Sequence, residues 1–194
     1  TIHYNQAGDA NFIASPEILQ NTTAQKANQT INVNTPAPVN ATYNTGFNVA
    51  ATATSGLPVA YSATGVCTNV GSNFTMTSGT GACTVQYDQA GDANYNAAPQ
   101  VTQTTNAQKA GQTISVTTSA PAGAVYNSNF TVAATSSSGL PVAYSAAGSC
   151  NNAGATYTMT GSTGTCTVQF NQAGNANYNA APQVTQTVNA QKAN

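Results

Sequence analysis

The stretch SGLPVAYSA, residues 55–63, joins a turn to a strand and decides the fold. Its first four residues are turn formers, and after them Val59, Tyr61 and Ala63 alternate with Ala and Ser. An alternation with a period of two is typical of a half-buried β-strand. The same nine residues recur unchanged at 138–146, which lies 83 positions further along the chain. The sequence therefore predicts a chain built from repeated β modules.

The repeat extends over the whole chain. Residues 29–111 and 112–194 match at 57 of 83 positions without insertion or deletion, and residues 1–28 match the end of a repeat. We therefore predict the C-terminal strands of a preceding, incomplete repeat at 1–28, repeat 1 at 29–111 and repeat 2 at 112–194. Because the chain begins inside a repeat, we expect a segment of a longer protein or a processed product. Arrays of near-identical modules supply length or multivalency more often than chemistry.

The same alternation occurs elsewhere in repeat 1, at Phe47–Ala51, Phe74–Met76 and Cys83–Tyr87, with Gly- and Ser-rich turns between these segments. Together with Ile31–Val33 and Val101–Asn106, this pattern predicts about seven short strands per 83-residue repeat. We predict an all-β fold of tandem immunoglobulin-like antiparallel β-sandwiches. The predicted core of repeat 1 consists of its alternating apolar residues: Ile31, Val33, Tyr43, Phe47, Val49, Leu57, Val59, Tyr61, Phe74, Met76, Val85, Tyr87 and Tyr95.

Three motifs carry a resemblance to a known family: QTI at 29–31, SGLPVAYS at 55–62 and QAGDANYNAAP at 89–99. Together they resemble the bacterial immunoglobulin-like repeats of large surface and adhesin-type proteins. The resemblance covers the whole chain. It implies an extracellular stalk or filament built from many tandem sandwiches, and it implies no catalytic residues.

Each full repeat contains one pair of cysteines, Cys67 with Cys83 and Cys150 with Cys166. Equal pairs in small modules predict one disulfide per repeat and an extracellular or cell-surface location. Closing such a loop stabilises a domain by about 3 kcal/mol in the chain-entropy model. A metal site is the competing interpretation, but no further Cys or His lies near either partner, so we expect no metal.

The charge content excludes several function classes. The chain has three Lys or Arg, four acidic residues and one His, and its net charge is −1. So few basic groups argue against nucleic-acid binding, and no apolar run approaches the roughly 18 residues of a membrane span. Repeat 2 contains no acidic residue, so we expect neither calcium nor another cofactor. With His3 as the only histidine, and on the polar side of its strand, we expect no enzyme.

Lysine occurs once per repeat, always in the sequence AQKA, as Lys26, Lys109 and Lys192. We predict that these lysines are solvated residues at the repeat junctions. The alternative is an isopeptide bond to an asparagine, which needs a nearby carboxylic acid to move protons. Repeat 2 lacks such an acid, so the junction interpretation is favoured.

Two functional hypotheses follow. The first is a structural segment of an extracellular fibre, filament or adhesin stalk, stiffened by its disulfides and short junctions, whose partners are neighbouring repeats or other copies. Residues 1–28 hold only two predicted strands, which need completion by strands outside this segment or by strand complementation from another chain. The alternative is an adhesive array that binds a glycan or a cell-surface partner through the segments around 36–46 and 66–73. These segments, interpreted as loops, differ most between the copies.

Overall fold

The computed structural model describes residues 1–193, in which all regular secondary structure is β-strand. Asn194, the last residue of the predicted second repeat, lies outside the described residues. In residues 1–28, β1 (Ile2–Tyr4) pairs with β2 (Ile18–Gln20) in antiparallel register. The described range contains no helix that is long and apolar enough to cross a membrane.

Repeat 1 contains nine strands. They are β3 (Ile31–Thr35), β4 (Asn40–Thr42), β5 (Gly46–Asn48), β6 (Ala50–Ala53), β7 (Ala60–Gly65), β8 (Cys67–Val70), β9 (Asn73–Met76), β10 (Ala82–Asp88) and β11 (Val101–Gln108). One four-stranded sheet has the order β4-β11-β10-β7. The other strands form the pair β3-β6 and the three-stranded sheet β5-β9-β8.

Repeat 2 repeats this arrangement strand for strand. Its strands are β12 (Ile114–Thr118), β13 (Gly123–Val125), β14 (Asn129–Thr131), β15 (Ala133–Ser136), β16 (Ala143–Gly148), β17 (Cys150–Ala153), β18 (Thr156–Met159), β19 (Thr165–Asn171) and β20 (Val184–Gln191). The sheets are β13-β20-β19-β16, β12-β15 and β14-β18-β17. The all-β, immunoglobulin-like fold predicted from the sequence is confirmed.

Alternation along β19 builds the core of repeat 2. Cys166, Val168 and Phe170 are fully buried, whereas the residues between them are half-buried. They belong to one buried cluster with Tyr157 and Met159 of β18, which lies in the other layer. Burying a side chain of this size contributes about 1.5–3 kcal/mol, so the space between the layers is the main source of stability.

Three features of the strand pattern differ from the prediction of about seven antiparallel strands per repeat. The pairs β4–β11 and β13–β20 are parallel, whereas the prediction had all strands antiparallel. The strand predicted over Phe47–Ala51 is divided at Val49 into β5 and β6, which belong to different sheets. The segments 36–46 and 66–73, interpreted as loops, contain the edge strands β4 and β8. These strands have only three or four residues and are held by backbone pairing to a single neighbour, so they lack the apolar alternation of a central strand.

The predicted core is correct at its centre. The buried members are Ile31, Val49, Phe74, Met76, Val85 and Tyr87, and the other seven are half-buried. Thr105 was not predicted as a core residue, because a threonine in a strand is usually interpreted as a surface residue. It is fully buried, and its Oγ1 donates a hydrogen bond to the carbonyl oxygen of Pro38 at 2.7 Å.

The described chain forms two compact units. Unit 1 comprises Thr1–Asn32, Ala51–Ala60 and Tyr87–Val101, and unit 2 comprises Val33–Ala50, Tyr61–Gln86 and the described residues from Thr102 onward. All contacts between repeat 1 and repeat 2 described below lie within unit 2. The predicted domain boundaries at 28/29 and 111/112 stay a prediction.

Candidate functional site

A disulfide joins the two layers of each repeat. Cys67 of β8 is bonded to Cys83 of β10, with 5.3 Å between the Cα atoms, and Cys150 is bonded to Cys166 at 5.2 Å. Each bond runs from the three-stranded sheet to the four-stranded sheet. All four cysteines are buried, so these bonds are structural. Such bonds persist in oxidising compartments, and the chain is accordingly an extracellular or secreted one.

A buried glutamine organises one end of repeat 2. The Nε2 of Gln112 donates to Oε1 of Gln172 at 2.7 Å and to the carbonyl oxygen of Asn179 at 2.6 Å. Its Oε1 accepts a hydrogen bond from Oγ of Ser138 at 2.5 Å. Because Gln112 is only 5% exposed, these bonds replace the water that its amide loses on folding. They tie the segment before β12 to the turn before β16 and to the segment after β19.

Repeat 1 contains the same network. Gln29 Nε2 donates to Gln89 Oε1 at 2.5 Å and to the carbonyl oxygen of Asn96 at 2.7 Å, and Ser55 Oγ donates to Gln29 Oε1. These four residues lie in the three motifs that carry the family resemblance and are identical in both repeats. Their identity in both repeats was the signal in the sequence that could have revealed the network. Sequence reasoning missed the network because nothing local shows that residues so far apart meet.

The linker between the repeats is short and paired. Strand β11 ends at Gln108 and β12 begins at Ile114. Between them, the backbone N–H of Ala110 donates to the carbonyl oxygen of Asn177 at 2.9 Å, and the N–H of Asn179 donates to the carbonyl oxygen of Ala110 at 2.9 Å. Because both the N–H and the carbonyl oxygen of Ala110 are hydrogen-bonded to repeat 2, the linker has little freedom to act as a hinge.

The linker's partner is a tight turn, residues 175–179, which we call the junction turn. Oδ1 of Asn175 accepts hydrogen bonds from the backbone N–H of Asn177 at 2.8 Å and of Tyr178 at 3.0 Å. This is the local geometry that Asn and Asp favour in turns. Gly174, just before the turn, has a φ of 75°, and a Cβ there would lie 2.3 Å from the carbonyl oxygen of Tyr178. The turn therefore requires glycine at this position.

The junction turn also contacts repeat 1. The backbone N–H of Gly79 donates to Oδ1 of Asn177 at 2.9 Å. The ring of Tyr178 packs edge-to-face on Tyr43, with 5.5 Å between the ring centroids and 80° between the planes. Gly79 is buried, and a Cβ at this position would lie 2.8 Å from the carbonyl oxygen of Ala176. Tyr43, predicted as a core residue, is thus half-buried by the neighbouring repeat, which no single-repeat pattern reveals.

The predicted junction lysines Lys26, Lys109 and Lys192 are all exposed. The carbonyl oxygen of Lys109 accepts a hydrogen bond from Nδ2 of Asn179 at 3.3 Å, which places that lysine's backbone beside the junction turn. A role for the lysine side chains at the junction stays a prediction.

His3 is exposed, and its Nδ1 lies 2.6 Å from Oε1 of Glu17, across the β1–β2 pair. The described residues contain no group of three His, Cys, Asp or Glu side chains that could hold a metal ion.

Burial perturbs the ionisation of Tyr157. Tyr157 is fully buried in the core of repeat 2, and its hydroxyl donates to the carbonyl oxygen of Ser145 at 3.0 Å. Burial raises the pKa of this phenol above its ordinary value of 10.0, because the apolar core disfavours the phenolate. Repeat 1 has Phe74 at the equivalent position and therefore lacks this phenol.

Comparisons with known proteins find similar solved structures but no similar sequences. No protein-family model matches the chain, and no curated protein is significantly similar to it. The human protocadherin-24 EC1-2 structure is 12% identical over 86% of this chain and 98% of its own, with a TM-score of 0.32. The Drosophila N-cadherin EC1-4 structure is 11% identical over 84% of this chain, with a TM-score of 0.30. The chain spans about half the length of that structure, 51%. Structural similarity this weak supports no conclusion about function. The function has to be inferred from the geometry of this chain itself.

Proposed function

We propose that the chain is a structural, non-enzymatic segment of an extracellular fibre, filament or adhesin stalk built from bacterial immunoglobulin-like repeats. Three features support this role: the repeat motifs, a disulfide in each repeat, and a junction whose linker is hydrogen-bonded to the next repeat. The observation that carries the proposal is the pairing of a strand near the start of each repeat with the last strand of the same repeat.

This pairing is parallel in both repeats. In repeat 2, β13 pairs with β20 through Gly123↔Asn189, Ala124↔Ala190 and Val125↔Gln191, and β4 pairs with β11 in the same way. Tension along the chain pulls β13 towards its N-terminal end and β20 towards its C-terminal end. Because the strands are parallel, these pulls slide one strand along the other. The hydrogen bonds of the pair then share the load and do not open one after another, which suits a segment under tension.

Force spectroscopy on the whole chain, held by its two ends, tests this role. We expect two unfolding events, one for each full repeat, at forces set by the two parallel pairs. The disulfide gives each event a signature, since the 16-residue separation between Cys150 and Cys166 stays closed. At about 3.5 Å per residue, the oxidised repeat releases roughly 55 Å less length than the reduced one.

An Ala124→Pro variant isolates the parallel pair. The N–H of Asn189 donates to the carbonyl oxygen of Ala122 and the N–H of Tyr126 donates to that of Gln191, so Ala124 lies in the middle of this ladder. Proline removes its donor, and we expect a lower unfolding force for one of the two events. The matched variant Ala41→Pro should weaken the other event. Repeats that extend without a force peak, or unfolding forces that neither variant changes, would refute a role in carrying tension.

We propose in addition that another chain of the same repeat type completes residues 1–28 by strand complementation. Ile2 and Tyr4 of β1 are 45% and 51% exposed, whereas their counterparts in repeat 1, Val85 and Tyr87, are fully buried. An apolar strand face of this kind is stable only when a second layer covers it. The low net charge offers little repulsion between chains that approach one another.

A cavity beside β1 indicates which side chain the completing strand supplies. It has a volume of about 390 Å³ and is lined by Tyr4, Gln6 and Ile18, among others. Gln6 is the counterpart of Gln89, whose Oε1 in repeat 1 accepts a hydrogen bond from Gln29. The Oε1 of Gln6 accepts one from the backbone N–H of Gly8. We infer that the completing strand carries a glutamine in the place of Gln29.

Negative-stain electron microscopy of the purified chain under oxidising conditions tests the complementation. Long filaments with a regular repeat are expected if copies complete one another. An Ile2→Asp variant, which charges the apolar face, should abolish them, whereas His3→Gln, on the opposite face, should leave them intact. Isolated short particles would exclude self-complementation and leave a stalk segment. The force measurement tests separately whether such a segment carries tension.

A further inference from the structure

The two repeats differ at the end that receives a junction turn. In repeat 1 this end consists of Tyr43 and Gly79, which are covered by repeat 2. The counterpart of Tyr43 in repeat 2 is Tyr126, so both repeats carry the tyrosine. The counterpart of Gly79 is Ser162, since the loop sequence Ser-Gly at 78–79 is exchanged for Gly-Ser at 161–162.

We propose that the residue at position 79 determines whether a repeat can dock its successor: Gly79 permits the closed junction, and Ser162 prevents the same closure at the end of repeat 2. This inference deepens the proposed fibre role by making the stiffness of each junction depend on one side chain. The partner that it concerns is the junction turn of another repeat of this kind.

Steric distances carry the inference. A Cβ at Gly79 would lie 2.8 Å from the carbonyl oxygen of Ala176, 2.8 Å from Cα of Asn177 and 3.0 Å from the carbonyl oxygen of Asn177. All three atoms belong to backbone, which no side-chain rotation can move aside. The junction turn itself is fixed by Gly174 and Asn175, so it has little freedom to retreat. Any side chain at position 79 therefore separates the repeats or breaks the hydrogen bond from its N–H to Asn177.

The loop itself accepts a side chain. Gly79 has no positive φ, and repeat 2 carries Ser162 in the equivalent loop with the same flanking strands. The glycine at 79 is thus required by the neighbouring repeat and not by the loop's own backbone. The neighbouring Gly81 and its counterpart Gly164, by contrast, both have positive φ, and both repeats keep glycine there.

The test transplants the repeat 2 loop into repeat 1 of the full chain as the double variant Ser78→Gly with Gly79→Ser. Residual dipolar couplings measured by NMR report whether the two repeats share one alignment tensor, which is the signature of a fixed junction. Two control variants are matched to it. Gly111→Ala adds a methyl group in the linker where no atom lies within 4 Å, and Ser162→Gly makes the reverse change away from this junction.

In the unchanged chain and in both controls we expect one shared tensor and cross-relaxation between the rings of Tyr43 and Tyr178. In the double variant we expect separate tensors and loss of that cross-relaxation, while chemical shifts away from the junction stay unchanged. A double variant that keeps the shared tensor and the ring contact would overturn the inference and leave the fibre role standing. If the unchanged chain itself shows separate tensors, the two repeats are not held in a closed junction. The stiffness assumed in the proposed function would then be wrong as well.

Discussion

Replacing Gln112 with alanine tests the energetic weight of the glutamine network. The change removes three hydrogen bonds, those to Gln172 and Asn179 and the one from Ser138. It also leaves the carbonyl oxygen of Asn179 without this amide donor in a partly buried setting. At about 1 kcal/mol for each bond, we expect the free energy of unfolding of repeat 2 to fall by about 3 kcal/mol. For a domain of this size, that corresponds to a melting temperature lower by more than about 10 °C.

Native-state hydrogen exchange followed by mass spectrometry measures this loss by peptide, so that repeat 1 serves as an internal reference in the same molecule. The matched control is Gln183→Ala, which removes an exposed side chain whose Nε2 donates to Oδ1 of Asn171 at 2.7 Å. We expect the control to cost less than about 0.5 kcal/mol, as is usual at the surface. If Gln112→Ala costs no more than Gln183→Ala, the network is a by-product of the fold and contributes little to it.

Three further predictions concern repeat 2. Replacing Cys150 and Cys166 by alanine should lower its free energy of unfolding by about 3 kcal/mol, measured by urea denaturation; an unchanged midpoint would show that the covalent bond adds nothing. Because burial raises the pKa of Tyr157, the native state favours the neutral phenol, and stability that is present below pH 10 should be lost as the pH rises through the raised pKa. Tyr157→Phe should flatten this loss in an alkaline unfolding series, and an identical pH profile would contradict the assignment. Gly148→Ala should destabilise the repeat strongly, since φ is 85° and a Cβ would lie 2.2 Å from a backbone oxygen; Gly154→Ala, with φ of 58° and open space around it, should cost much less in the same thermal melts.

Alternation predicted the strands wherever one face of a strand is buried and the other is not. Strand β10 was predicted in this way, and Val85 and Tyr87 are fully buried in it. The method fails where a strand is short and lies at a sheet edge, as β4 and β8 do, because backbone pairing leaves no apolar signature in the sequence. The division at Val49 was equally hidden, since Val49 is buried and keeps the alternation while the strand passes from one sheet to the other.

The candidate site was less predictable than the fold. The residues of the glutamine network were visible as repeated motifs, but their contacts join positions 26 to 67 residues apart, such as Gln29 with Ser55 and with Gln89. Gly79 was harder still, because its role depends on the neighbouring repeat. In the sequence, the difference between Gly79 and its counterpart Ser162 looks like ordinary variation in an exposed loop. Only the distance from Gly79 to the backbone of the junction turn shows that the exchange has a physical consequence.

The glutamine network and the junction share one segment, and this sharing links the stability of a repeat to the stiffness of the array. The junction turn presents its outer side to Gly79 and Tyr43, while at its end the carbonyl oxygen of Asn179 accepts the hydrogen bond from Gln112. The same turn pairs with Ala110 of the linker. A repeat that loses its network therefore loses one of the hydrogen bonds that hold the surface that its predecessor contacts. Tension that loosens the network should accordingly release the junction before the disulfide-bonded core, so that the array first becomes flexible and only then lengthens.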